Sequence, residues 1–114
     1  MAFTYIVKCI DDSLYTGACI SISERMKDHY YKKDKCAKYT KSRQIVSLEA
    51  LWVSENLSTA CKLEWCIKKL SRKKKIDLIN HPGKLLEVYG VHLTGIEYRY
   101  VEGVGLEEFL DENN

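Results

Sequence analysis

Apolar and polar positions change period several times along the chain, and each change marks an element. Thr4 to Lys8 is β-branched and aromatic and runs into the turn signal Asp11-Asp12-Ser13, which predicts a strand and a hairpin. Leu14 to Gly17 begins the return strand, antiparallel to the first because the link is short. Gly17 permits there a close approach that a side chain would obstruct. Ser21-Ile22-Ser23-Glu24 has the form of a capping box, so a helix follows to about Lys32. Its stripe is Ile22, Met26, His29 and Tyr30, with Arg25 at the edge as the neighbour of His29.

From Lys32 to Gln44 no period is sustained, and the lysine-rich stretch reads as a basic loop. Ile45 to Val53 alternates again, with Val46, Leu48, Ala50 and Trp52 opposite Ser47, Glu49, Leu51 and Val53, as in a central strand covered on both faces. Ser58 is the expected N-cap of a second helix, in which Leu63, Cys66, Ile67 and Leu70 form the apolar stripe and Glu64 flanks it. Ser71 caps a further helix, Arg72 to Ile79, that must end by His81-Pro82-Gly83. Beyond it Val91 to Leu93 and Ile96 to Val101 are strand-like, and Leu106 to Leu110 forms a helical turn. The pattern predicts an α+β fold, with a small three-stranded, antiparallel-containing sheet flanked by helices. Residues 1–80 make up the domain, and residues 81–114 form a short acidic extension packed on it.

With 114 residues and 46% hydrophobic content, the chain can bury one core and is too short for two. The amino terminus meets Asp11 and Asp12 too soon for a signal peptide, and no stretch has membrane-spanning length, which predicts a cytoplasmic protein. Five cysteines without a Cys-x-x-Cys pair suggest neither a disulfide framework nor a zinc site, and they read as reduced, mostly buried residues. The net charge of +2 conceals a polarised distribution. Residues 24–75 hold fifteen Lys and Arg against six Asp and Glu, whereas residues 76–114 hold two against eight. A basic middle of this size fits a polyanionic partner, since each phosphate neutralised releases condensed counterions. A solvated helix surface would also account for the charge alone. The acidic tail either folds back on the basic surface or docks a protein partner.

One constellation carries chemistry. Tyr5 and Tyr15 lie on the first two strands, the second within Leu14-Tyr15-Thr16-Gly17. Glu24-Arg25 and His29 follow on the first helix, then Ala37-Lys38-Tyr39-Thr40, and last Glu64 leading into Ile67-Lys68-Lys69-Leu70-Ser71-Arg72. Each residue alone has an ordinary structural explanation: strand packing for the tyrosines, a satisfied helix histidine, a surface arginine, an i, i+4 partner of Lys68 for Glu64. In conjunction, over residues 3–79, they resemble the GIY-YIG nuclease family, particularly its small stand-alone bacterial members. Phe3-Thr4 stands in place of the Gly-Ile of the first motif, and Thr16 in place of the isoleucine of the second.

The resemblance implies a Mg²⁺-dependent endonuclease, with Mn²⁺ able to substitute, that hydrolyses DNA phosphodiesters in a setting such as repair or recombination. It implies that Glu64 binds the single cation, which acts as a Lewis acid toward the leaving oxygen. Arg25 pairs with the scissile phosphate. Tyr5 is the general base with His29 bonding to its hydroxyl or taking its proton, a role that requires the phenol's pKa to be depressed. Tyr15 orients water or phosphate, and either phenol could instead hold the other in place. Lys35, Lys38, Lys41, Arg43, Lys68, Lys69, Arg72, Lys73, Lys74 and Lys75 are candidate contacts to the nucleic-acid backbone, which position a duplex without reading it. No recognition helix is visible, so structure-directed cleavage with weak sequence preference is expected. The alternative is a non-catalytic nucleic-acid-binding module that keeps the fold. His81 and His92 read as structural or exposed.

Overall fold

A computed structural model of the chain describes residues 1–32 and 42–110. Strand β1 (Ala2–Cys9) pairs antiparallel with β2 (Leu14–Cys19) on one side and with β3 (Ile45–Ser54) on the other. A short β4 (Arg99–Tyr100) adds to β3, giving a four-stranded antiparallel sheet of order β2-β1-β3-β4. The fourth strand is the surviving part of the strand-like stretch expected over Ile96 to Val101. The β1–β2 turn places Asp12 in the left-handed region, at φ 69°, a conformation that aspartate tolerates better than most residues.

Helices cover both faces of the sheet. Side chains alternate along β1, so Ile6 faces a core with Ala50, Trp52, Leu63 and Ile67, while Tyr5 and Val7 face a second core with Ile22, Met26 and Leu51. Helix α1 (Ile22–Tyr30) lies on the Tyr5 face, its N-cap Ser21 accepting a hydrogen bond from the Glu24 N–H. It stops earlier than expected because Lys32 enters the left-handed region at φ 54°. Tyr30 is exposed, so the buried stripe is Ile22, Met26 and His29.

Helix α2 (Leu57–Lys68) lies on the Ile6 face. Its N-cap is Asn56, not Ser58. The Asn56 side chain accepts from the Thr59 N–H and the Thr59 hydroxyl accepts from the Asn56 N–H, satisfying two otherwise orphaned donors that Ser58 would have left inside the first turn. Helix α3 (Arg72–Asn80) begins at its expected cap, Ser71.

Two further expectations are corrected. The regular alternation in β3 is broken by two bulges: Ile6 pairs with Ala50 and Val7 with Leu48, so Glu49 is an extra residue, and Lys8 pairs with Ser47 and Cys9 with Ile45, so Val46 is another. Leu48 therefore turns to the Tyr5 face while Ala50 and Trp52 stay on the other, and Val46 is exposed. Val91 to Leu93 is not a strand. Leu85, Tyr89 and Leu93 recur every fourth residue and are all buried, and the chain there forms helix α4 (Leu85–Tyr89) followed by a turn. Tyr89 and Tyr98 donate hydroxyl bonds to the Cys66 and Thr59 carbonyls, fastening this segment to α2. Helix α5 (Glu107–Leu110) follows Leu106, which enters the core beside α1. Of the cysteines described, Cys9 and Cys66 are buried, Cys19 is intermediate and Cys61 is exposed, and none of the four is in a disulfide.

Candidate active site

The site grows from the register of the first hairpin. Tyr5 sits directly opposite Gly17, and a Cβ on Gly17 would lie 2.3 Å from the Tyr5 hydroxyl oxygen and 2.5 Å from its Cζ. The phenol therefore lies across the glycine, and any larger residue there would displace it. Tyr15 opposes Val7 on the same face of the sheet. Helix α1 brings Arg25 and His29, one turn apart, over these strands.

The four groups meet. The Tyr5 hydroxyl lies 2.6 Å from His29 Nε2, and Arg25 Nε donates to the same oxygen at 3.4 Å. The Tyr15 ring is 6.5 Å from that of Tyr5 and 5.6 Å from the imidazole, centroid to centroid. Tyr5 and His29 are both fully buried.

Burial sets their protonation. It raises the Tyr5 pKa well above the ordinary phenol value, against the opposing influence of the hydrogen bond and charge of Arg25. It pushes His29 down to about 4, with Arg25 acting in the same direction. The resting pair is thus a neutral phenol and a neutral imidazole joined by a short hydrogen bond, which the hydroxyl donates when the imidazole carries its proton on Nδ1. The depression of Tyr5 expected from positive neighbours is absent in the protein by itself, because desolvation of the phenolate outweighs the arginine.

Glu64 belongs to α2, on the opposite helical layer from α1. Two features bring it toward the phenols. β2 is the edge strand of the sheet, and α2 packs against it. Lys68 then spans the gap, its Nζ 3.2 Å from Glu64 Oε2 and 5.6 Å from the centroid of the Tyr15 ring. The carboxylate therefore lies no farther from the Tyr15 ring than those two spans laid end to end. Its side chain is 22% exposed. Among the described residues, no three His, Cys, Asp or Glu gather as a metal cage. A lone carboxylate at a solvent-reachable edge suits Mg²⁺, which keeps several waters and accepts phosphate oxygens, and does not suit a closed zinc site.

The basic candidates divide. Lys35, Lys38 and Lys41 lie outside the described residues. Arg43 forms an ion pair with Asp11 at 3.1 Å, and Arg72 donates to the Asp12 carbonyl at 2.7 Å, so both brace the hairpin turn. Lys73 and Lys74 are exposed on α3, and Lys75 lies partly buried near Lys68, its pKa lowered first by burial and then by that neighbour. Lys69 covers the Trp65 ring, its Nζ 3.5 Å from the centroid.

Two features were not anticipated. Lys68, expected as the i, i+4 partner of Glu64 and as a backbone contact, also brings its ammonium to the Tyr15 ring. Trp65 is 57% exposed beside Glu64. The second was legible, since position 65 falls off the stripe of Leu63, Cys66 and Ile67. The first depends on tertiary proximity to Tyr15 and left no mark in spacing.

A helix-flanked antiparallel sheet that gathers two hairpin tyrosines with an arginine and a histidine from the next helix defines a GIY-YIG catalytic domain, and that family's profile matches residues 1–77. The chain belongs to this family, and within it to the UPF0213 group of small bacterial proteins. It is 44% identical to a UPF0213 protein of Syntrophus aciditrophicus over 68% of this chain and 87% of that one. It is 36% identical to the UPF0213 protein FN1575 of Fusobacterium nucleatum over 75% of this chain and 83% of that one. A solution NMR structure of the UPF0213 protein BH0048 from Bacillus halodurans is 33% identical, spans 82% of this chain and 98% of its own, and superposes with a TM-score of 0.45. Membership carries a nuclease-type function at the level of the family. No helix among the described residues is long and apolar enough to cross a membrane.

Proposed function

We propose that the protein is a divalent-metal-dependent endonuclease that hydrolyses DNA phosphodiester bonds, guided by DNA structure with weak sequence preference. The observation that carries this reading is the Tyr5 hydroxyl, fixed over Gly17 and shared by His29 Nε2 at 2.6 Å and Arg25 Nε at 3.4 Å. Few structural purposes call for a buried phenol, a buried imidazole and a part-buried guanidinium converging on one oxygen. A proton relay does.

Because burial disfavours the phenolate, Tyr5 acts in a relay in which no charge accumulates on the phenol. It takes a proton from the attacking water as it passes its own to His29 Nε2. The positive charge passes to His29, whose imidazolium is balanced by the hydroxide delivered to the phosphate and gives up its proton afterwards. Arg25 has permanent charge and a planar fork, and binds the phosphoryl oxygens. Tyr15, on the same face, orients the phosphate or water. Glu64 would hold the Mg²⁺, which when bound supplies a Lewis acid for charge developing on the phosphate and leaving oxygen. Lys68 must leave the carboxylate for this to occur, and its ammonium is then available to a strand phosphate. Lys69, Lys73, Lys74 and Lys75 extend the cationic surface over which the DNA backbone lies.

The Glu64–Lys68 ion pair favours a second reading, a non-catalytic nucleic-acid-binding module, because it gives Glu64 a structural partner of its own. Incubation of purified protein with linear and branched DNA in Mg²⁺ or Mn²⁺ separates the two. Cleavage by the wild type that is lost in Glu64→Ala and Arg25→Ala supports the nuclease. Salt-dependent binding without cleavage on every substrate supports the module, and equal nicking by all three proteins exposes a contaminant.

A further inference from the structure

Helix α2 has two faces of different character. Ala60, Leu63, Cys66 and Ile67 are buried against the sheet, whereas Cys61, Lys62, Trp65, Lys68 and Lys69 face solvent. An indole here is costly to leave wet. Tryptophan gains more than most residues from burial, and Trp52, the other one in the chain, is only 1% exposed. The exposed neighbours of Trp65 one turn away along the helix include Lys62, Lys68 and Lys69. Lys69 lies over its ring at 3.5 Å, Lys68 is three residues on, and the exposed Lys73 and Lys74 begin α3. Trp65 also follows Glu64 directly, about 100° further round the helix.

We infer that Trp65 is a stacking platform for an unpaired nucleobase, so that the site takes a single-stranded or frayed segment of DNA; this rests on the nuclease reading for the strand being substrate. An aromatic face offers nothing to duplex DNA, whose bases show only their edges in the grooves and hide their faces in the stack. An unpaired base has an open face. Stacking it on the indole, with its flanking phosphates on the neighbouring lysines, removes apolar surface from water on both partners and matches the charge. Such a contact reads the pairing state and tolerates any sequence, because every base has a π face. The lysines around the ring favour a polyanion over an apolar protein surface as its partner. Lys69 serves as a placeholder that moves from the ring to a phosphate as the strand arrives.

The test uses the full-length Glu64→Gln protein in EDTA, so that binding is read without cleavage. A sixteen-residue oligothymidylate should quench the long-wavelength, solvent-exposed part of the tryptophan emission, which comes from Trp65, and a blunt duplex of equal charge should not. By fluorescence anisotropy, adding Trp65→Ala should weaken oligothymidylate binding about 5- to 100-fold, the range for loss of one stacked base, and alter duplex binding less than about twofold. Trp65→Phe should restore part of the loss. Equal weakening toward both DNAs, unchanged single-strand affinity, or quenching by the blunt duplex as strong as by the single strand overturns the inference. Because these readouts need neither metal nor chemistry, failed cleavage would remove the nuclease reading and leave the platform standing, and the converse also holds.

Discussion

His29 makes the protein's stability depend on pH in a window that can be stated in advance. The side chain is fully buried against Tyr5, and its pKa falls from the ordinary 6.5 to about 4. Between those values the unfolded chain binds a proton at this residue and the folded chain does not. The unfolding free energy therefore rises with pH through the window, and the contribution of His29 is present above pH 6.5 and lost as the pH falls toward 4. At about 1.4 kcal/mol per pH unit, the loss between pH 7 and pH 4 is about 3 kcal/mol. Full burial means that solvent screening does not reduce this figure much. Carboxylates also titrate in this range, so the clean measurement is a difference. Urea unfolding of wild type and His29→Gln should be followed by circular dichroism at unit steps from pH 7 to pH 4. The wild type should lose about 3 kcal/mol more than the variant over that interval. Parallel stability curves for the two proteins would refute a buried, neutral imidazole and with it the hydroxyl-to-Nε2 bond on which the relay depends.

Other perturbations address other parts of the site. Gly17→Ala puts a methyl group 2.3 Å from the Tyr5 hydroxyl oxygen; it should cost about 1–3 kcal/mol of stability by overpacking and lower cleavage more than a hundredfold, measured by denaturation and single-turnover assay. Arg25→Lys keeps the charge and loses the fork, and should reduce kcat/KM about 10- to 100-fold, the loss expected for one charge-assisted hydrogen bond; activity within twofold of wild type would exclude a planar contact to phosphate. Lys68→Met removes the ammonium that pairs with Glu64 and should tighten Mn²⁺ binding by up to about fivefold in calorimetry, the range of an exposed ion pair. Unchanged or weaker binding would mean that Lys68 does not compete for the carboxylate.

Much of the fold follows from local signals. The hairpin, the Ser21 and Ser71 caps and the basic character of α2 and α3 are all visible in short windows, because periodicity and capping are decided by neighbours in the chain. The departures share a different origin. The bulge at Glu49 flips Leu48 across the sheet, and nothing in the alternating sequence announces it, since the extra residue is accommodated by its partner strand. The displaced cap at Asn56 depends on which of two good cappers the preceding strand leaves in position. Within the site, the family pattern found the Tyr5, Tyr15, Arg25 and His29 group, and the register of Tyr5 against Gly17 gives the pattern its physical sense. What the sequence leaves open is protonation. Arg25 next to a phenol suggests a lowered pKa, yet burial depends on how tightly β1 and α1 close, and it reverses the direction. The Glu64–Lys68 pair is legible as an i, i+4 spacing, whereas the approach of Lys68 to Tyr15 is a product of the edge position of β2, a matter of strand order that no local window contains.

Whether the Glu64 carboxylate on one side of the sheet serves the phenols on the other by reaching around the β2 edge can be read from anomalous diffraction by a crystal soaked in Mn²⁺. A single strong peak bonded to the Glu64 carboxylate is expected, on the side that faces Tyr15 and Arg25, with Lys68 displaced. A peak elsewhere on the surface, or Glu64 still paired with Lys68 at saturating Mn²⁺, would contradict this arrangement.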